Sequence, residues 1–308
     1  MGPNAKIVCA TDLGSRDFDR NHNWINNTQY SSDDLEKASN FVHEASNNST
    51  NNAETDNSVD YENLNENQKK VFNRIETHYD NILTGRPVEP LRIIVMGTAG
   101  TRKSYLIRAI RKRLCEMERS SSKVVKVIAP TGVAAFNINS ATIHSTLSLP
   151  IHNNKWSDLN SSRLNQLQER LKDVIYIITD EKSMVGRRMF AAIDKRLREA
   201  FPKSKNEPFG KRSIILFEDF GQLLPVLDLP MYATNLSHDI TSNDGIASYK
   251  NFQKVYKLNV IQRQSGDCEE QKAFREILLR LRDGDCNLDD WKKLSTRFED
   301  KLNRTERD

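Results

Sequence analysis

The stretch "IIVMGTAGTRKSYLI", residues 93–107, decides the fold class, because it leads from a branched apolar run through a glycine-bearing turn into a helical pattern. Its turn matches the phosphate-binding pattern G-x-x-x-x-G-K-[ST], except that Arg102 stands where the second glycine belongs. A strand, such a turn and a helix start together present backbone N–H groups and the positive helix end to a polyphosphate. The residues of the predicted loop are Gly97, Thr98, Ala99, Gly100, Thr101, Arg102, Lys103 and Ser104.

The departure at Arg102 bears directly on nucleotide binding. Glycine is used at this position because the backbone approaches the phosphates in a conformation that is costly for a residue with a Cβ atom. We therefore expect weakened ATP binding and impaired catalysis. The alternative is that the arginine points into solvent and favours a polyphosphate electrostatically.

Around the loop, apolar runs of strand length alternate with segments of helical periodicity. Strands are predicted at residues 92–96, 124–129, 174–179, 213–217 and 254–258, and helices at 64–83, 103–119, 132–138 and 187–200. Strands of continuous apolar character separated by helices indicate an α/β fold, with a parallel sheet covered on both faces.

Composition divides the chain into three parts. Residues 1–63 are rich in Asn, Ser, Asp and Glu, with four Lys/Arg against eleven Asp/Glu, and we expect an acidic, disordered tail. Residues 64–264 form the predicted α/β domain, and residues 265–308 are predicted to be helical with a break at Gly284. The chain after the tail has 42 Lys/Arg against 31 Asp/Glu. This excess fits either a polyanion-binding surface or an ordinary lysine-rich one.

The cysteines and the hydropathy pattern exclude several classes of protein. The four cysteines are far apart without C-x-x-C spacing, so we expect neither a zinc site nor a disulfide framework. No apolar run approaches the roughly 20 residues that a membrane span requires. The sequence therefore predicts a soluble intracellular protein in a reducing compartment, without a membrane partner.

An acidic pair follows one of the predicted buried strands. In "VIYIITDEKSM", residues 174–184, Asp180 and Glu181 come directly after the apolar run. One carboxylate can hold a metal ion while the next orients or deprotonates an attacking water. A solvated turn is the alternative for the pair alone, but its position downstream of a phosphate-binding loop favours the catalytic interpretation.

Four further strings occur in an order that is characteristic of one family. They are "LNENQ" at residues 64–68, "APTGVAAFNINSATIHS" at 129–145, "FEDFGQLLPV" at 217–226 and "LNVIQRQ" at 258–264. With the loop and the acidic pair, they resemble the petite integration frequency (PIF-type) family of ATP-dependent DNA helicases of superfamily 1B, especially its fungal helicase-like members. The resemblance covers residues 64–294 and implies a RecA-like P-loop NTPase lobe.

The resemblance implies a role for each motif in ATP hydrolysis. Gln68 would read the adenine, Gln222 would sense the terminal phosphate, and Arg263 would stabilise charge on the transferring phosphate. In the same mechanism Lys103 neutralises phosphate charge and Ser104 and Asp180 position Mg²⁺, while Glu181 activates water. Five residues would contact single-stranded DNA: Thr131, Gly132, Thr142, His144 and Ser145.

Other positions depart from the family pattern. Glu218 stands where the family usually has glycine, and Leu224 where it usually has the first of two prolines, which together suggest relaxed selection. Motifs of a second RecA-like lobe are not found before Asp308, and two lobes are needed to turn hydrolysis into movement along a strand. We therefore expect a truncated form with impaired turnover.

The function implied is a 5′-to-3′ DNA helicase that couples ATP hydrolysis to unwinding in DNA repair, recombination and telomere maintenance, in the nucleus or the mitochondrion. One alternative is a catalytically inactive module that binds nucleotide or single-stranded DNA. A second alternative, a P-loop ATPase of another class such as a AAA-type remodeller, is disfavoured because the strings at residues 129–145 and 258–264 have no place there.

Overall fold

A single parallel sheet forms the centre of the computed structural model, which describes residues 59–118, 124–150, 158–233, 237–262 and 268–296. Within these ranges the strand order is β3-β2-β4-β5-β1-β6, and all neighbouring strands are parallel. The strands are β1 (Arg92–Gly97), β2 (Val125–Ala129), β3 (Ala141–Thr142), β4 (Tyr176–Thr179), β5 (Ser213–Glu218) and β6 (Lys254–Leu258). The predicted parallel α/β sheet is confirmed. The two-residue edge strand β3 was not predicted, because it is too short to show a period.

Helices cover both faces of the sheet. They are α1 (Glu66–Leu83), α2 (Lys103–Glu118), α3 (Gly132–Asn137), α4 (Ile143–Leu147), α5 (Ser161–Leu171), α6 (Arg187–Ala200), α7 (Ile240–Tyr249), α8 (Glu269–Asp283) and α9 (Leu288–Ser295). Sequence periodicity missed α4, α5 and α7. The reason is clearest in α7, whose buried positions are the small residues Ser242, Gly245 and Ser248 rather than large apolar ones.

Successive strand residues point into two different hydrophobic clusters. Val95 and Val127 belong to the cluster that contains residues of α1 and α2, whereas Ile94 and Ile128 belong to the one that contains residues of α5 and α6. All of β4 and β5 is buried. This two-sided burial explains why these strands read as continuous apolar runs.

Packing at both ends of the α/β domain adds to the predicted division of the chain. Val59 is 3% exposed and lies in the α1–α2 cluster, so described structure begins before the expected boundary at residue 64. Residues 1–58 of the predicted tail lie outside the described residues. At the other end, Arg282 of α8 donates to Asp219 at 3.0 Å. The start of the predicted C-terminal segment therefore packs against the α/β domain.

No helix in the described part of the chain is both long and apolar enough to cross a bilayer.

Candidate active site

The predicted site residues follow three neighbouring strands. Since β4, β5 and β1 are adjacent and parallel, the loops after them meet at one edge of the sheet. One cavity lies at this edge and measures about 710 Å³. It is lined by Ala99, Gly100, Arg102, Lys103, Ser104, Tyr105, Arg108, Asp180, Glu181, Gln222 and Gln262. The structure thus brings Lys103, Asp180 and Gln222 to one cavity.

Lys103 lies inside the phosphate-binding loop. Its Nζ donates to the carbonyl oxygens of Gly97 at 2.9 Å and Thr98 at 3.4 Å. Thr101 Oγ1 also donates to the Thr98 carbonyl, at 2.8 Å. A Cβ atom at Gly97 would lie 2.5 Å from Thr101 Oγ1, so this position requires glycine for close packing. The ammonium is therefore held within the loop, at the cavity wall.

Arg102 adopts the backbone conformation that made glycine the expected residue. Its φ is +58°, in the left-handed region, which costs on the order of 1–2 kcal/mol for a residue with a Cβ atom. The side chain is exposed, and its guanidinium carbon lies 5.8 Å from the centre of the Tyr105 ring. The strained backbone and the exposed charge beside the cavity are therefore both present, while weakened ATP binding stays a prediction.

Burial and neighbouring negative charges disfavour the ionised forms of the two carboxylates after β4. Burial, and then the charge of Glu181, raise the pKa of Asp180 to about 6, against the opposing influence of Lys103. Burial also raises the pKa of Glu181, with Lys103 opposing and Asp219 adding to the shift. Glu181 has φ = +50°, and its N–H donates to Asp180 Oδ1 at 3.0 Å. A cation bound between these groups would relieve their repulsion.

The loop after β5 is held by a buried carboxylate. Asp219, 3% exposed, accepts the N–H of Gly221 at 3.1 Å and the Arg282 guanidinium at 3.0 Å through Oδ1. The N–H of Gln222 donates to the Asp219 carbonyl at 3.0 Å. Sequence reasoning did not assign Asp219 or Arg282. The only signal was that Asp219 falls inside the motif at residues 217–226.

Gln68 does not have the surroundings expected of an adenine-reading residue. It is fully buried, and its Nε2 donates to the Thr101 carbonyl at 3.1 Å. Its Oε1 accepts the N–H of Asn65 at 3.0 Å in the capping box of α1. The amide therefore supports the phosphate-binding loop in this conformation and offers no open edge to a base. Adenine reading stays a prediction that would require one of these bonds to open.

A second groove adjoins the cavity and contains one of the predicted DNA-binding residues. It measures ≈ 630 Å³ and is lined by Thr131, Val133, Ala134, Asn137, Glu181, Met184, Gly221, Gln222, Leu223 and Leu224. Glu181 and Gln222 line both spaces. Thr131 caps α3, accepting the N–H of Ala134 at 3.2 Å. Among the described residues, no atom beyond its chain neighbours and its own helix backbone lies within 4 Å of a Cβ placed on Gly132, so this position leaves room for a ligand.

Three other predicted DNA contacts lie one strand away. Thr142 pairs in register with Ala129, at the same edge of the sheet. Its Oγ1 accepts the N–H of Ser145 at 3.2 Å and lies 3.0 Å from the Ser145 hydroxyl. His144 is half-buried, which lowers its pKa. These residues do not line the groove that contains Thr131. The Thr142 hydroxyl caps α4, and the Ser145 hydroxyl donates to the Thr142 carbonyl at 3.0 Å.

The segment after β6 contains a residue that sequence reasoning overlooked. The N–H of Gln262 donates to the Gly100 carbonyl at 2.8 Å, which joins this segment to the phosphate-binding loop. Its Oε1 is buried without a hydrogen-bond partner among the described residues, at the wall of the cavity. Its position beside Arg263 was the available signal. Arg263 itself lies outside the described residues.

Comparison with known sequences gives one family. The family model described as "PIF1-like helicase" matches residues 63–292. Similar curated proteins include the ATP-dependent DNA helicase PIF1 of Candida albicans, 31% identical over 199 residues, and that of Saccharomyces cerevisiae, 31% identical over 211 residues. These matches cover 61% and 66% of this chain but span only 20% and 23% of the two relatives.

Solved structures of similar fold include two Pif1 helicases. The crystal structure of the Candida albicans protein has a TM-score of 0.53 and 26% identity, covering 75% of this chain and 46% of that one. A Bacteroides Pif1 helicase in complex with ADP-AlF3 and ssDNA has a TM-score of 0.53 and 25% identity, covering 78% and 51%. The predicted RecA-like fold class is confirmed by these neighbours.

Proposed function

Because the chain belongs to the PIF1-like helicase family, we propose that its cavity binds ATP with Mg²⁺ and that the adjoining groove binds single-stranded DNA. The observation that carries the proposal is the convergence of Lys103, Asp180 and Gln222 on one cavity. The Bacteroides relative was solved with ADP-AlF3 and ssDNA, which supports both ligands.

The chemistry of the cavity fits a magnesium nucleotide. Mg²⁺ bound to a nucleotide usually has one or two protein carboxylates beside the phosphate oxygens, and its charge stabilises the transferring phosphoryl group. In our proposal Ser104 and Asp180 would hold the ion, and the Lys103 ammonium would move from its loop carbonyls to the phosphates. Glu181 orients and deprotonates the attacking water, while Gln222 contacts the terminal phosphate.

The groove fits a strand of DNA through its polar and apolar parts. Thr131 offers a hydroxyl to a backbone phosphate, and the exposed side chains of Val133 and Leu223 offer apolar surface to bases. Since Glu181 and Gln222 line both spaces, a strand in the groove would contact the residues that contact the phosphate. Because the cavity and the groove share Glu181 and Gln222, we expect single-stranded DNA to stimulate ATP hydrolysis.

The wider activity is proposed from the family. Coupling of ATP hydrolysis to 5′-to-3′ DNA unwinding, and roles in repair, recombination and telomere maintenance, are extended to this chain as proposals because it spans about a fifth of its curated relatives. Because these roles require access to DNA, we propose a nuclear location, with the mitochondrion as the alternative. Microscopy of a tagged protein tests this placement.

A second candidate function is a module that binds nucleotide or single-stranded DNA without turnover. The observation that favours it is the left-handed backbone at Arg102, where a strained residue stands in the loop that must close around the phosphates. In this case ATP would bind without DNA-stimulated hydrolysis.

The two candidates are separated by measuring binding and turnover on the same protein. A fluorescent ATP analogue is titrated with Mg²⁺, and ATP hydrolysis is followed with and without single-stranded DNA. Lys103→Ala is expected to abolish binding, whereas Lys250→Ala, an exposed lysine at the end of α7, is the matched control. Binding with DNA-stimulated turnover supports the helicase-type ATPase, and binding without turnover supports the module. Absence of binding by the unchanged protein contradicts both.

A further inference from the structure

A buried ion pair lies directly behind the candidate active site. Lys182 Nζ is 2.9 Å from Glu218 Oε2, and the two side chains are 2% and 0% exposed. The ammonium also lies 4.4 Å from the centre of the Tyr249 ring and 5.2 Å from that of Phe220. None of the roles proposed above uses either charge.

The pair joins the two loops that supply the catalytic groups. Lys182 directly follows Glu181, and Glu218 is the last residue of β5, directly before Asp219. Asp219 in turn accepts the N–H groups of Gly221 and Gln222. One contact between two side chains therefore links the Glu181 carboxylate to the loop that carries Gln222.

The burial of this pair is difficult to explain by stability alone. An apolar pair of similar volume often stabilises a fold as well as a buried ion pair does, because both charges must lose their hydration. What an ion pair adds is a fixed geometry between its partners. Glu181 needs such a constraint, because its left-handed backbone, with φ = +50°, persists only where the surroundings hold it.

We propose that Lys182 and Glu218 are positioning residues that fix the Glu181 carboxylate and Gln222 at the spacing required by a bound nucleoside triphosphate. The inference rests on the proposed nucleotide-binding function. It also gives Glu218 a role in this chain, so its departure from the family's usual glycine needs no relaxed selection.

Discrimination between ATP and ADP tests this positioning. A pair that only stabilises the fold would affect both nucleotides alike, whereas a misplaced Gln222 affects only the ligand with a third phosphate. The measured quantity is the ratio of the dissociation constant for ADP to that for a slowly hydrolysed ATP analogue, both with Mg²⁺. Melting temperature is recorded for every variant.

The main variant replaces both charges, Lys182→Met with Glu218→Leu. We expect its melting temperature and ADP affinity to stay near those of the unchanged protein. The ATP preference should fall about tenfold, the size of one charge-assisted hydrogen bond. The exposed pair Lys172–Glu169, 2.6 Å apart, receives the same two replacements as a control and should leave the ratio unchanged.

A second variant covers the case in which the apolar pair does not fold. Glu218→Asp keeps both charges but shortens one partner, and it is expected to fold and to lower the ratio. A ratio near one in the unchanged protein, or an unaltered ratio in the folded variants, overturns the positioning role. Absence of any nucleotide binding by the unchanged protein overturns the proposed function itself, together with this role.

Discussion

Replacing Asp180 by asparagine is expected to stabilise the nucleotide-free protein at neutral pH. Burial and the nearby Glu181 raise the pKa of Asp180 from its usual 3.8 to about 6, so the folded protein binds its proton more tightly than the unfolded chain does. The charge therefore lowers stability progressively as the pH rises from 3.8 to about 6. The full difference corresponds to about 3 kcal/mol near pH 8 and to about half of that near pH 5.

The asparagine is a close match for the carboxylate. Its amide oxygen can still accept the N–H of Glu181, which donates to Asp180 Oδ1 at 3.0 Å. The variant should therefore gain about 3 kcal/mol of unfolding free energy near pH 8 while it loses Mg²⁺-dependent nucleotide binding. Functional carboxylates that repel one another commonly destabilise the fold in this way.

Urea unfolding without nucleotide, near pH 5 and near pH 8, measures the gain. Asp173→Asn is the control, because Asp173 is an exposed carboxylate just before β4. The reasoning is refuted if Asp180→Asn changes the unfolding free energy equally at the two pH values, or if it destabilises the protein near pH 8.

Three further substitutions test individual parts of the site. Arg102→Gly is expected to raise DNA-stimulated ATP hydrolysis, because glycine adopts φ = +58° without strain; equal rates in the two proteins contradict this. Gly97→Ala should cost about 1–3 kcal/mol in urea unfolding, because its Cβ would lie 2.5 Å from Thr101 Oγ1, and an unchanged midpoint would contradict it. Arg282→Met should cost about 2 kcal/mol by leaving the buried Asp219 charge without its guanidinium. Adding Asp219→Asn should restore much of that loss, and no recovery argues against the pairing.

The parts of the fold that were predictable are those in which one local pattern determines the structure. Strands β1, β4 and β5 read as apolar runs because both faces of the sheet are covered, and parallel strands carry their loops to the same edge. The positions of the strands and their parallel arrangement are sufficient to predict that Lys103, Asp180 and Gln222 lie close together. Helix α7 escaped prediction because it is buried through small residues.

Contacts between distant side chains were not predictable. Nothing in the sequence shows that Lys182 meets Glu218 or that Arg282 meets Asp219, since charged residues are usually solvated. The same limit applies to Gln68, whose amide is used by its own helix cap and by the phosphate-binding loop. Motif spacing gives the location of a residue in the chain but not its partner.

The central claim is that Lys103, Asp180 and Gln222 bind one nucleoside triphosphate together. Calorimetric titration of a slowly hydrolysed ATP analogue with Mg²⁺ tests it most directly, on the unchanged protein and on Lys103→Ala, Asp180→Asn and Gln222→Ala. The account predicts one binding site per chain, whose binding is lost in Lys103→Ala and Asp180→Asn and weakened in Gln222→Ala. Binding that survives all three unchanged, or no binding to the unchanged protein, would contradict it.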